Sequence, residues 1–372
     1  MKIAILTFHR ANNFGAMLQA YSIVMKCREL GAEAELLDWR NPFFEKIYHK
    51  AWRMHRNPIP AIKHLIWYLK DEVRTRKMFA SFRDEIPKSK CISDRKMLDA
   101  EQSSYDIFIA GSDQIWNPKV MSANLKRFDK TFFLDFVKSK DAKKYAYAAS
   151  FGDDPNFDDS LQREFKDAWE SFDKITTREE GGADYISMRI GKPIDTVVDP
   201  VFLHDEHYWR RIGSRANIEI GGKFILLYNL RRSTQLSQTA HNVAKEKGLM
   251  VADLLIPAQC GKSSYPKTDA GPLEFLKYID KAEYVFTGSF HAAAFSIIFG
   301  KKLYAQLSKK GSKANSRMEN LFSLCDLSGT KVSEDSNSVI MFYDCSLKDS
   351  KKLEQSINNA MSILKKMALG EY

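Results

Sequence analysis

An α/β fold made of two Rossmann-like halves facing a cleft is predicted by three features of the sequence. Short apolar runs alternate with longer stretches of helical periodicity, the pattern of parallel strands covered by helices on both faces. The alternation restarts after Pro200. The 372 residues exceed one ordinary core and suit two.

The first half opens with a strand over 2–8, a polar loop His9-Arg10-Ala11-Asn12-Asn13-Phe14-Gly15, and an amphipathic helix over about 16–30 that Gly31 ends. A strand over 34–38 completes a βαβ start. Residues 46–90 then hold 12 Lys or Arg against four acids, with Ile62, Leu65, Ile66, Leu69 and Val73 at helical spacing. This predicts a basic helical insertion at about 45–100, read either as a solvated helix or as an amphipathic face for an anionic membrane. Strands over 105–110, 144–150, 174–177 and 195–199 lead to Pro200, which closes a first domain of residues 1–200. A second domain, 201–345, carries strands over 224–229, 250–256, 283–287 and 302–306, with helices over 234–247, 272–281 and 290–299 between them. A last helix near 349–367, within a segment 346–372, is expected to pack back across the domain junction.

Hydrophobic residues make up 44% and charged residues 28%, which excludes a disordered chain. Met1-Lys2 runs directly into Ile3-Ala4-Ile5-Leu6 without a signal segment, and no apolar run approaches the roughly 20 residues of a membrane span. Cys27, Cys91, Cys260, Cys325 and Cys345 are scattered without a CxxC pair and read as reduced thiols of a cytoplasmic protein, not as a zinc site or disulfide frame. The net charge of +10 points to anionic partners. Nucleic acid is not expected among them, because the basic residues lack a reading module.

Open α/β sheets bind ligands at the carboxyl ends of their strands, beside helix N-termini whose amides favour anions. Five places fit that rule. The loop from His9 to Gly15, with His9 and Asn13, is neither G-x-G-x-x-G nor a Walker A loop, and reads either as a sugar or phosphate contact or as a turn capped by Asn. Gly111-Ser112-Asp113-Gln114-Ile115-Trp116-Asn117-Pro118 offers close backbone approach, directional hydrogen bonds and a flat ring for a sugar; its alternative is an N-cap with a packed tryptophan. Arg178, and Arg231 with Arg232, suit bidentate grip of a carboxylate or phosphate, or surface ion pairs. Asp199 reads as structural. His291 stands where a buried strand meets an almost wholly apolar helix, either serving a ligand or hydrogen-bonded to a neighbouring loop.

Several of these strings together resemble the polysaccharide pyruvyl transferases: Ile5-Leu6-Thr7-Phe8-His9 with Asn13 to Tyr21, Gly111 to Asn117, Tyr147 to Gly152, Thr177-Arg178-Glu179, Val198-Asp199-Pro200, and Ser289-Phe290-His291. The resemblance implies a fold like the GT-B glycosyltransferases and transfer of pyruvate from phosphoenolpyruvate, the donor substrate with no separate cofactor, onto a sugar as a ketal. One departure stands out. The family's junction reads Ser-Asp-Arg-x-His-Gly, whereas this chain has Thr287-Gly288-Ser289-Phe290-His291-Ala292, keeping the histidine and placing Ser289 at the arginine position. The resemblance makes His291 the general acid or phosphate contact, since imidazole titrates near neutrality. It makes Arg178 a donor contact, and Asp113 or the His9 loop the groups that orient the acceptor. Arg231, Arg232, Lys309, Lys310 and Arg317 are candidates for the missing charge.

The acceptor is then a glycan or its precursor, on a polyprenyl-phosphate carrier if the basic insertion meets the inner face of the membrane. Two rivals remain: a glycosyltransferase of the same fold using a nucleotide sugar, and a non-catalytic protein that binds glycans or lipid phosphates.

Overall fold

The structure, a computed structural model, describes residues 1–40, 73–117, 130–152, 159–254, 270–309, 315–347 and 350–372. Contacts divide these into two compact units, the first taking 1–40, 85–204 and 351–372, the second 73–84 and 205–350.

In the first unit an all-parallel sheet runs in the order β2 (Glu33–Leu36), β1 (Lys2–Leu6), β3 (Ile107–Ala110), β4 (Lys143–Ala149), β5 (Lys174–Thr177), β6 (Asp195–Thr196). Central strands of such a sheet are covered on both faces, which is why Ile3-Ala4-Ile5-Leu6 and Ile107 to Ala110 are uniformly apolar and buried. Helix α1 (Phe14–Glu29) starts where the Asn13 carboxamide accepts the Ala16 amide at 3.1 Å, and Gly31, at φ +91°, turns the chain back. Rings fill the core: Trp116 stacks on Phe133 with centroids 5.3 Å apart, and Trp169 on Phe165 at 5.4 Å.

Of the basic helical insertion expected at about 45–100, residues 45–72 lie outside the described residues. Of the rest, only α2 (Val73–Asp84) and α3 (Arg95–Ala100) are helical, and α2 groups with the second unit. Between them the chain runs extended along the edge of the first sheet, bridging Leu36 to Lys88 and Trp39 to Ile92. The last helix, α11 (Lys351–Leu369), groups with the first unit and packs its Ala360, Ile363, Leu364 and Met367 face near α1 and the turn Pro200–Leu203.

The second unit's sheet runs β11 (Thr330–Glu334), β12 (Ser338–Asp344), β10 (Lys302–Ser308), β9 (Tyr284–Thr287), β7 (Phe224–Tyr228), β8 (Met250–Asp253). Its four-strand body is parallel, but β11 and β12 form an antiparallel hairpin on β10, which the sequence reading did not anticipate. The reason is compositional: Thr330–Glu334 is mostly exposed and polar and carries no hydrophobic period. Helices α7 (Thr234–Lys247), α8 (Pro272–Lys281) and α9 (Phe290–Ile298) connect the strands. From His291 to Ile298 every α9 residue is buried, as expected of a helix that is apolar all round. Helix α2 lays Phe79 and Phe82 into this unit beside α8, where Gly271 admits the Met78 side chain. Helix α10 (Ser316–Leu324) follows β10.

Candidate active site

In both units the chemistry-bearing residues stand at the carboxyl ends of parallel strands, where the backbone leaves the sheet and polar groups need partners. At the end of β1, Thr7 donates its hydroxyl to the Ser112 carbonyl at 2.8 Å and accepts from Gln19 at 2.8 Å. This join needs Gly111, since a Cβ there would stand 2.8 Å from the Thr7 Cβ. His9 is buried, its Nδ1 3.0 Å from the Thr7 carbonyl and its Nε2 2.8 Å from Asp38. Arg10 grips the same carboxylate bidentately, Nε at 2.8 Å and Nη2 at 2.7 Å. Burial raises the Asp38 carboxyl, but the hydrogen bonds and charges of His9 and Arg10 outweigh it and hold the group well below the usual carboxylate range.

Of the two readings of this loop, the turn capped by Asn describes its contacts in this structure. Both ring nitrogens of His9 meet protein oxygens, Asn13 caps α1, and Gly15 is buried in the helix's first turn.

A second network joins the other strand ends. Asp199, buried, accepts from Arg178 Nη1 at 2.5 Å, from the Ser112 hydroxyl at 3.3 Å and from the Val201 amide at 3.1 Å. Arg178 Nε reaches Glu179 at 3.4 Å, and the Ser150 hydroxyl donates to that same carboxylate at 2.5 Å. Burial works against the Arg178 charge, but Asp199 and Glu179 overcome it and keep the guanidinium protonated. Arg178 is only 4% exposed, and an incoming dianion would meet two carboxylates beside it. In this structure Arg178 ties β5 to Asp199. Trp116 is corrected: fully buried, it donates Nε1 to the Phe132 carbonyl at 3.2 Å and stacks on Phe133, so no sugar reaches its face. Ser112 is buried in the network. Asp113 and Gln114 stay partly open to solvent, Asp113 at φ 76° with its carboxylate on the Gln114 amide.

The second unit holds a pocket lined by Arg231, Gly288, Phe290, Gln306, Leu307, Asn315, Arg317 and Met318. Arg231 follows β7 in a turn closed by Asn229, whose side chain accepts the Ser233 amide at 2.9 Å and donates to the Ser233 carbonyl at 2.8 Å. Arg231 Nη1 donates to the Ser308 hydroxyl at 3.2 Å, at the end of β10. There Asn315 accepts the Ser308 amide and donates to its carbonyl at 2.8 and 2.7 Å, imitating a strand partner and seating Arg317 in the first turn of α10. Gln306 donates to Ser233 at 2.6 Å and to Ser338 at 3.0 Å.

Gly288 and Phe290 bring the start of α9 to the same pocket. Ser289, partly exposed between them, makes no side-chain cap. His291, 8% exposed, follows Phe290 with the two rings edge to face at 5.3 Å. Of the five cations proposed for the missing charge, Arg231 and Arg317 meet in the pocket. Arg232 lies outside the lining at φ 56°, Lys309 pairs with Glu334 at 3.5 Å, and Lys310 lies outside the described residues. The sequence reading missed Gln306 and Asn315; a polar residue closing β10 and an Asn directly before a helix were the available signals.

The family model of polysaccharide pyruvyl transferases matches residues 13–305. No curated protein matches the chain significantly. Among solved structures, the UDP-GlcNAc 2-epimerase of Neisseria meningitidis is 9% identical with a TM-score of 0.50, covering 100% of both chains. The putative UDP-N-acetylglucosamine 2-epimerase of Listeria monocytogenes is 10% identical with a TM-score of 0.51, covering 100% of this chain and 97% of that one. At these identities the likeness is one of fold, and the fold is of the GT-B type.

Proposed function

Since the chain belongs to the polysaccharide pyruvyl transferase family and is a transferase, we propose that it moves the pyruvyl group of phosphoenolpyruvate onto two hydroxyls of one sugar, closing a ketal. The observation that carries the donor assignment is the pocket in which Arg231 and Arg317 meet the start of α9 with no carboxylate in the lining. Such a pocket suits a compact phosphorylated carboxylate.

The chemistry has two additions to one carbon. A sugar hydroxyl attacks C2 of the enolpyruvyl group and gives up its proton while C3 takes one, with no net proton consumed, giving a tetrahedral intermediate that keeps the phosphate. The second hydroxyl then replaces phosphate at C2, its proton leaving with the released phosphate. In this reading His291, in the first turn of α9, delivers the proton to C3. The acceptor is a glycan or its precursor, and a polyprenyl-phosphate carrier is part of the same proposal. Among the described residues no helix is long and apolar enough to cross a membrane, so contact with such a carrier would be peripheral.

Incubation with phosphoenolpyruvate and a panel of glycans, following phosphate release, tests the proposal. The expected result is release that depends on both substrates and falls about 10²–10⁴-fold in His291→Ala. Unchanged turnover in that variant removes His291 from the mechanism. Turnover of a nucleotide sugar with no response to phosphoenolpyruvate replaces the donor.

A further inference from the structure

We infer that Arg231 and Arg317 form a two-guanidinium clamp for the phosphate of a phosphomonoester, supplying at the α9 junction the charge that Ser289 does not. The inference rests on the proposed function for naming phosphoenolpyruvate as the ester. The clamp itself follows from the pocket.

Two arginines far apart in sequence, one in the turn after β7 and one in the first turn of α10, line one small pocket, so an anion bound there meets two guanidinium groups. Arg231 is held by the Ser308 hydroxyl, a neutral partner, and forms no ion pair among the described residues. Each arginine stands beside a pair of side-chain-to-backbone hydrogen bonds. The Asn229–Ser233 pair fixes the turn that carries Arg231, and the Asn315–Ser308 pair fixes the entry to α10 that carries Arg317. Both brackets use side-chain amides on backbone groups, one in the turn that carries Arg231 and one at the entry to α10.

The third wall is the start of α9, where Gly288 keeps the approach open and the Ser289 side chain does not cap the first-turn amides. Ser289 therefore marks a relocation of charge, from the junction itself to the turn after β7 and the first turn of α10. One consequence is direct. The phosphate released in the reaction fits the same clamp, so inorganic phosphate competes with the donor.

The test is calorimetric titration of the full-length protein with phosphoenolpyruvate, inorganic phosphate and UDP. It compares wild type with Arg231→Gln, Arg317→Gln, Arg317→Lys, Ser289→Arg and Lys223→Gln, an exposed residue at the opposite end of β7, each checked by circular dichroism. Expected are competition between phosphate and phosphoenolpyruvate, a loss of about ten- to a hundredfold for both in either Gln variant, a smaller loss in Arg317→Lys, and no change in Lys223→Gln. Ser289→Arg, crowding a third cation into a charged pocket, is expected not to tighten binding.

Wild-type affinity in both Gln variants, or tighter binding in Ser289→Arg alone, overturns the clamp and leaves pyruvyl transfer standing. Uptake of UDP with neither phosphate nor phosphoenolpyruvate also overturns it. A clamp that binds both probes through these arginines while no glycan is ever pyruvylated supports the inference and defeats the proposed function instead.

Discussion

Asp38 holds two partners in the first unit's strand-end region, His9 at 2.8 Å and Arg10 at 2.7 Å. His9 and Arg10 hold its folded-state pKa below the ordinary carboxylate range. A carboxyl whose acidity is strengthened by folding stabilises the protein fully above its unfolded pKa of about 3.9 and loses that contribution as the pH falls below it. Asp38→Asn keeps the shape and removes the charge, leaving the buried His9 ring and the largely buried Arg10 facing a neutral amide. The expected cost is about 3 kcal/mol at pH 7. Urea unfolding across pH should show this gap constant between about pH 8 and 5 and closing below about pH 4. A gap that ignores pH would mean the carboxylate acts only through its shape.

At the scale of elements, β4 shows how the fold aims its strand ends. Its register with β5 slips between Ala146 and Ala149, and Ala148 sits at φ 51°. The Thr176 hydroxyl closes the gap by accepting from the Ala148 amide at 2.9 Å and donating to the Ala146 carbonyl at 3.1 Å. The bulge turns Ala149 and Ser150 toward Asp113 and Arg178, where backbone bonds at 3.1 Å join the three strand ends. Thr176→Val is expected to orphan both groups and cost about 2 kcal/mol. Ala148→Gly, freed of the left-handed penalty, is expected to gain about 0.5–1 kcal/mol. Unfolding midpoints of the pair decide it; a destabilised Ala148→Gly would show that the bulge stores no strain.

This element also shows what was legible in the sequence. The motifs at the ends of β1, β3, β4 and β5 were, because each polar string interrupts an apolar run. Which way each side chain turns was not. Trp116 follows Gly-Ser-Asp in sequence yet points into a core of rings, and Gln306 matters through hydrogen bonds to residues 73 and 32 positions away. Periodicity carries burial along one element; it carries neither of those facts.

For the whole molecule, the alternation of strands and helices predicted two α/β units and a last helix packing back across their junction; contacts group that helix with the first unit. Helix α11 returns after the entire second unit and buries Leu364 and Met367 fully beside α1 and Pro200–Leu203. Residues 351–372 therefore complete a core begun at residue 2, and the first sheet cannot be fully covered until the last segment arrives. Leu364→Ala is expected to cost about 2–5 kcal/mol through lost burial and a residual cavity. The loss should register where the contacts are. Amide hydrogen exchange should quicken in β1, β3 and α1, while β7, β9 and β10 keep their protection, because local openings follow cooperative units built on separate cores. Equal acceleration in both sheets would instead mean that the two units unfold as one, and that α11 stabilises the molecule as a whole.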